Sequence, residues 1–109
     1  MGEIHQDGWK VFEDNNLESF ELLNFEENNL KKELNEVDAI LLRTAKLSDD
    51  VLSFCKKLKI ISRHGVGYDN VNLDYLNQNN IALGITSTSN AVSVAEHVLT
   101  SFLYLSKNI

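Results

Sequence analysis

Three short apolar runs, at residues 39–42, 59–62 and 81–85, predict β-strands. The first run, Ala-Ile-Leu-Leu, contains no polar position, which is typical of a strand buried on both faces of a parallel sheet. Residues 19–25 alternate loosely between apolar and polar side chains and predict a further strand near the start of the chain.

Apolar residues at helical spacing separate these runs and predict five helices. The first carries Trp9, Val11 and Phe12 and is expected to end at the pair Asn15 and Asn16. The last and longest extends from residue 91 to about residue 107. The predicted N-caps are Asp7, Asn28 or Asn29, Ser48, Asn72 and Asn90. The predicted buried stripes are Leu30, Leu34 and Val37 in the second helix and Val51, Phe54, Cys55 and Leu58 in the third.

The alternation of strands and helices predicts right-handed βαβ units and a three-layer α/β sandwich around a parallel sheet. Only residues 2–4 are available for an opening strand, so we expect the first strand of the sheet to be missing. The last helix is apolar on more than one face, which predicts burial against a partner domain or subunit.

Composition narrows the class of protein. The chain has 109 residues, enough for one domain, and its net charge of −6 disfavours sequence-independent binding to nucleic acid. The start of the chain is too polar for a signal peptide, and no apolar run is long enough to cross a membrane, so we expect a cytoplasmic protein. Cys55 has no partner for an internal disulfide and is expected to be a small buried hydrophobe. No Cys/His cluster has metal-ligand spacing.

Polar and glycine residues follow each predicted strand, at the edge of a parallel sheet where ligands bind. They are Arg43-Thr44-Ala45-Lys46, His64-Gly65-Val66-Gly67 and Thr86 to Asn90. A guanidinium, hydroxyls and glycine-exposed N–H groups favour an anion. Ordinary βα loops with turn glycines and N-caps explain the same residues about equally well.

Other candidates are weaker. His64 fits a surface or packing role more readily than ligand binding, and the adjacent pair Glu96 and His97 points to different faces of a helix. The chain contains neither a G-x-G-x-x-G motif nor a Walker A motif.

Two ordered motifs are more specific. Residues 63–71 read R-x-G-V-G-x-D-N-V and residues 90–97 read N-x-x-S-V-A-E-H. With the sequence around them, from about residue 37 to residue 107, they resemble the amino-terminal part of the D-isomer-specific 2-hydroxyacid dehydrogenases, the phosphoglycerate-dehydrogenase-like members in particular.

The resemblance implies a flavodoxin-like substrate-binding domain, partial here and covering residues 1–90. Residues 91–109 would be the crossover helix into a Rossmann domain that this chain lacks. It implies a substrate carboxylate held on the N–H groups of Val66 and Gly67, with Arg43 and Thr44 at a distal anionic group. Gly65 and Asn90 complete the expected substrate-binding set, and Val66 and Val98 match positions near the nicotinamide of NAD.

The same resemblance places the catalytic arginine, glutamate and histidine in the cofactor domain, so no catalytic residue is assigned here. His97 belongs to the crossover motif. We therefore expect a fragment that binds a 2-hydroxy or 2-oxo acid, is inactive alone, and associates as a homodimer or swapped assembly. The alternative is a non-enzymatic interaction module, such as a co-repressor-like relative with the same motifs.

Overall fold

A computed structural model of the chain describes residues 1–107. In chain order its elements are α1 (Gln6–Asp14), α2 (Glu27–Glu33), β1 (Ala39–Leu42), α3 (Asp49–Phe54), β2 (Ile60–Arg63), α4 (Leu73–Gln78), β3 (Ala82–Gly84) and α5 (Ala91–Lys107). The three strands form one parallel sheet in the order β1-β2-β3, with Ile40 beside Ile61 and Ile61 beside Leu83. The predicted α/β class and the three predicted strands are confirmed.

The core lies against one face of this sheet. Ile40, Leu42 and Ile61 point into it and pack in one cluster with buried residues of the helices. Those residues are Leu30 of α2, Val51 and Leu52 of α3, and Leu76 of α4. Because side chains of a strand alternate between faces, this arrangement buries every second residue of β1.

The opposite face of the sheet is open. Ala39 and Ile60 are exposed there and Leu41 is only half-buried. The expectation that the strand at residues 39–42 is buried on both faces is therefore wrong, since an uninterrupted apolar run does not reveal whether a second layer is present.

The start of the chain takes the place of the missing strand. The nitrogen of Met1 donates to the Leu41 carbonyl at 2.8 Å, and the Arg43 nitrogen donates to the Met1 carbonyl at 3.1 Å, which is a parallel pairing beside β1. On its other side, the Gly2 nitrogen donates to the Leu22 carbonyl at 3.2 Å. Main chain at Met1 thus lies beside β1, although residues 1–4 form no regular strand and the sheet itself consists of β1, β2 and β3. Partial burial lowers the pKa of the Met1 amino group.

Several local predictions are wrong. Residues 19–25 form no strand, because their only hydrogen bond to neighbouring main chain is at the Leu22 carbonyl, and Phe20, Leu23 and Phe25 stay exposed. The cap of α1 is not Asp7: His5 precedes the helix, and its Nδ1 accepts from the Asp7 nitrogen at 3.2 Å.

The start of α2 also differs, at Glu27 after Glu26, with no side-chain cap. In contrast, Ser48 and Asn72 cap α3 and α4 through their side chains, as predicted. In the stripe of the third helix, Val51, Cys55 and Leu58 are buried, whereas Phe54 is 44% exposed, with the Lys31 ammonium 5.0 Å from its ring centroid.

Helix α5 has no buried residue, and its apolar side chains are exposed, among them Leu99, Phe102 and Leu105. Asn108 and Ile109, the last two residues of the predicted crossover region, lie outside the described residues. Across residues 1–107, no helix combines the length and apolar character that crossing a membrane requires.

Candidate functional site

The loops that follow β1, β2 and β3 meet at one edge of the sheet, as the parallel topology requires. The His64 nitrogen donates to the Leu42 carbonyl at 2.8 Å, which joins the second loop to the end of β1. The Thr86 nitrogen donates to the Gly65 carbonyl at 3.2 Å, which joins the third loop to the second. The structure therefore brings together the three polar segments predicted from the sequence.

The glycine turn, residues 65–67, has both glycine carbonyls occupied by protein donors. The Gly65 carbonyl accepts from the Thr86 nitrogen and also from Thr86 Oγ1 at 3.0 Å. The Gly67 carbonyl accepts from Arg63 Nε at 2.7 Å. Gly65 has a φ of +152°, a conformation that L side chains rarely adopt, so glycine is required at this position.

The N–H groups of the turn are free in the part of the chain that the structure describes. Neither the Val66 nor the Gly67 nitrogen donates to an acceptor within residues 1–107. A Cβ built on Gly67 would meet no atom within 4 Å, so open space adjoins this residue, and Val66 is 39% exposed. These two N–H groups are therefore available to an acceptor from outside the described residues.

Arg63 has a role that the sequence did not reveal. Besides its bond to Gly67, its Nη1 donates to the Leu42 carbonyl at 2.9 Å, so one guanidinium connects the turn to the end of β1. Both acceptors are main-chain carbonyls, which every residue type carries. Arg63 is the first residue of the R-x-G-V-G motif, but the motif does not indicate which groups its side chain binds.

Arg43 and Thr44 follow β1 and are exposed. Arg43 Nη1 donates to the Glu3 carbonyl at 3.1 Å, and its side chain lies against Gly2, whose added Cβ would sit 3.1 Å from Arg43 Cβ. The start of the chain thus orients a guanidinium at the same edge of the sheet as the glycine turn.

Asn70 joins the loop after β1 to the loop after β2. Its Nδ2 donates to the Ala45 carbonyl at 2.8 Å, and its own carbonyl accepts from the Leu47 nitrogen at 3.0 Å. This asparagine belongs to the sequence motif, and its position fixes the spacing between the Arg43 segment and the glycine turn.

The remaining candidates lie apart from this network. Asn90 is exposed just before α5, Val98 is 45% exposed on α5, and His64 is exposed. Glu96 and His97 lie on the exposed α5, where their carbonyls accept from Thr100 and Ser101.

Cys55 is buried, as predicted, and burial raises the pKa of its thiol. Among residues 1–107, no group of three or more His, Cys, Asp or Glu side chains is placed to hold a metal ion.

The structure is an α/β domain in which a parallel sheet carries the glycine turn at the edge where its strands end. Residues 1–106 match the family model for the D-isomer specific 2-hydroxyacid dehydrogenase, catalytic domain. The chain belongs to this family.

Individual relatives agree with this assignment. The chain is 43% identical over 75 residues to a D-3-phosphoglycerate dehydrogenase of Mycobacterium leprae. The aligned region covers 68% of this chain and 14% of that protein. A solved NAD-dependent formate dehydrogenase from Staphylococcus aureus, in complex with NAD, matches with a TM-score of 0.78 and 32% identity over 90% of this chain and 30% of that one.

The PH0520 protein of Pyrococcus horikoshii matches with a TM-score of 0.84 at 23% identity, which shows a shared fold. It covers 98% of this chain and 32% of that one. The chain therefore spans between about a seventh and a third of the length of these relatives.

Proposed function

We propose that this chain is the substrate-binding part of an NAD-dependent D-2-hydroxyacid dehydrogenase, and that the N–H groups of Val66 and Gly67 bind the substrate carboxylate. The proposal rests on which hydrogen-bonding groups of the glycine turn already have a partner. Its glycine carbonyls are taken by Arg63 and Thr86, while those two N–H groups donate to no acceptor within residues 1–107. A carboxylate accepts hydrogen bonds from backbone N–H groups, and such charge-assisted bonds are stronger than bonds between neutral groups.

The second anionic contact of the proposed site is Arg43, with the Thr44 hydroxyl beside it. The guanidinium retains donors beyond the one given to the Glu3 carbonyl, and a planar guanidinium suits a phosphate or a second carboxylate. Arg43 supports a substrate with two anionic groups, and the similarity to a D-3-phosphoglycerate dehydrogenase favours a phosphorylated acid. Gly65 and Asn90 complete the proposed substrate-binding set.

In the proposed site, this chain would contact only the nicotinamide end of NAD, and another domain would bind most of the cofactor. Residues 1–107 contain no dinucleotide glycine motif, whereas Val66 and Val98 offer exposed apolar side chains against which a nicotinamide could pack. When bound, NAD accepts or supplies the hydride at the substrate's C2 carbon. The residues of this chain bind and orient the acid, and we assign no catalytic acid or base to them.

The proposed organisation follows from the same observations. Residues 1–90 form the substrate-binding domain, and residues 91–109 form the crossover to a Rossmann domain outside this chain. The exposed apolar side chains of α5 support association, as a homodimer or a swapped assembly, and the expected setting is the cytoplasm.

Titration of the ¹⁵N-labelled chain with D-3-phosphoglycerate and D-lactate tests the proposal by NMR. We expect saturable shifts of the Val66 and Gly67 amide signals with both acids, and tighter binding of D-3-phosphoglycerate because it also reaches Arg43. The Arg43→Gln variant should bind the two acids with similar affinity. Unchanged amide signals with both acids would refute the proposed carboxylate site. Separately, turnover of 2-oxo acids with NADH by the chain alone would refute the expectation that the chain is inactive by itself.

A further inference from the structure

The orientation of the two free N–H groups depends on their neighbours in the turn. In a trans peptide, the C=O and the following N–H point in opposite directions and turn as one plane. The Gly65 carbonyl and the Val66 N–H share such a plane. A group that fixes the Gly65 carbonyl therefore also fixes the direction of the Val66 N–H.

Glycine on both sides of Val66 leaves these planes weakly restrained by local geometry. Rotation of the plane between residues 65 and 66 would present a carbonyl oxygen, which repels a carboxylate, in place of an N–H group. A preorganised site therefore needs external restraints on the turn, and hydrogen bonds from rigid neighbours supply them.

From these contacts we infer that Arg63 and Thr86 are positioning residues for the anion site, which we name the carbonyl clamp. Thr86 holds the Gly65 carbonyl with two donors, its nitrogen at 3.2 Å and its Oγ1 at 3.0 Å. Arg63 holds the Gly67 carbonyl at 2.7 Å and is itself anchored to the Leu42 carbonyl at 2.9 Å. The clamp restrains both ends of the segment that carries the Val66 and Gly67 N–H groups, and neither residue needs to touch the anion.

This inference rests on the proposed function for its effect on binding, but its effect on the turn is independent of any ligand. The direct measurement is ¹⁵N relaxation of the wild-type chain and of the Arg63→Gln and Thr86→Val variants. Thr86→Val keeps the shape and the backbone donor and removes only the hydroxyl. We expect the order parameters of Val66 and Gly67 to fall in both variants from about 0.85 toward 0.6 or lower.

The second measurement is the affinity for D-3-phosphoglycerate in the same variants. We expect about a threefold to tenfold loss for Thr86→Val and about tenfold for Arg63→Gln, the effect of losing one or two hydrogen bonds. Thr86→Ser should restore both the order parameter and the affinity, because it restores the hydroxyl donor.

Thr100→Val is the matched control, since the Thr100 hydroxyl also donates to a main-chain carbonyl, that of Glu96 in α5 at 2.8 Å. It should change neither quantity. Lys57→Gln, which removes a positive charge paired with Glu36, controls for net charge.

Order parameters of Val66 and Gly67 that stay at the wild-type value in both clamp variants would overturn the inference. A purely structural role would lower the melting temperature while leaving the turn signals of the folded molecules unchanged, and would overturn it too. If the wild-type chain binds no acid but the order parameters fall, the proposed function fails and the clamp is retained.

Discussion

At the scale of single residues, the two glycines of the turn serve different purposes. Gly65 is required by its backbone, with a φ of +152° and Arg63 Nη2 3.3 Å from the position of an added Cβ. Gly67 faces open space and has no such backbone requirement. The free space beside Gly67 therefore belongs to the proposed binding site, whereas the backbone conformation at position 65 is a requirement of the fold.

Alanine substitutions separate these purposes. Gly67→Ala should leave the free energy of unfolding unchanged or raise it by about 0.4–1 kcal/mol, because it restricts the unfolded chain. The added methyl group should nevertheless weaken D-3-phosphoglycerate binding by occupying the space beside the N–H groups. Gly65→Ala should cost about 1–3 kcal/mol through backbone strain. Urea unfolding and NMR titration measure the two effects, and equal destabilisation by both substitutions would contradict this account.

The common location of the proposed site residues at one sheet edge could be predicted from the sequence, but the carbonyl clamp could not. Arg43, Val66 and Gly67 follow predicted strands, and parallel topology alone brings them to one edge of the sheet. Arg63 and Thr86 bind main-chain carbonyls, so no complementary side chain marks their partners in the sequence. Their function depends on backbone orientation, which residue types specify only indirectly.

At the scale of elements, Lys31 connects α2 to α3. Its ammonium pairs with Glu27 at 2.8 Å and with Asp50, and lies above the Phe54 ring. The hydrogen bond from Lys31 is the main cause that lowers the pKa of Asp50 and raises that of Lys31. Although Phe54 is partly exposed, the Lys31 ammonium lies against its ring.

The lowered pKa of Asp50 predicts a dependence of stability on pH. Because the folded-state pKa lies below the unfolded value of about 3.9, the contribution is fully present above that value and is lost as the pH falls through the folded pKa. Asp50→Asn should therefore lower stability at pH 7 more than at pH 2.5, measured by urea unfolding.

Asp14→Asn is the control, since Asp14 takes part in no ion pair among residues 1–107. The Asp38–Lys59 pair, in which Lys59 lowers the pKa of Asp38, should preserve part of the acid sensitivity in both variants. An Asp50→Asn effect of equal size at both pH values would show that the ion pair does not contribute.

The errors at this scale have a common physical origin. Residues 19–25 have a strand-like pattern but make only one hydrogen bond to neighbouring main chain, at the Leu22 carbonyl. The pattern of apolar and polar residues shows which side chains a segment could bury. It does not show whether another strand or helix lies beside the segment. The same limit applies to β1, whose second face lacks a covering layer in residues 1–107. The hydrogen bonds of Met1 and Gly2 to neighbouring main chain could not be predicted either, because two residues are too few to produce a pattern.

At the scale of the whole molecule, the core and the apolar surface are separate. Every buried hydrophobic residue lies between Leu22 and Ile81, whereas α5 buries none. The principal extents of 55 × 33 × 25 Å reflect this elongated shape. The first 90 residues therefore contain the complete core, and the helix contributes surface that is available for contact with another domain or another copy.

Removal of residues 91–109 should consequently leave the fold intact. We expect the shortened chain to unfold cooperatively within about 4 °C of the full chain, a shift that corresponds to roughly 1 kcal/mol for a domain of this size. It should also sediment as a monomer, while the full chain associates through α5 because burying its apolar side chains is favourable.

The double variant Leu99→Gln and Phe102→Gln, which keeps the length of the helix, should reduce association to the same extent as the truncation. A full chain that sediments as a clean monomer at high concentration would refute α5 as an association surface. Loss of cooperative unfolding on truncation would instead show that α5 stabilises the first 90 residues, and that the boundary at residue 90 is wrong.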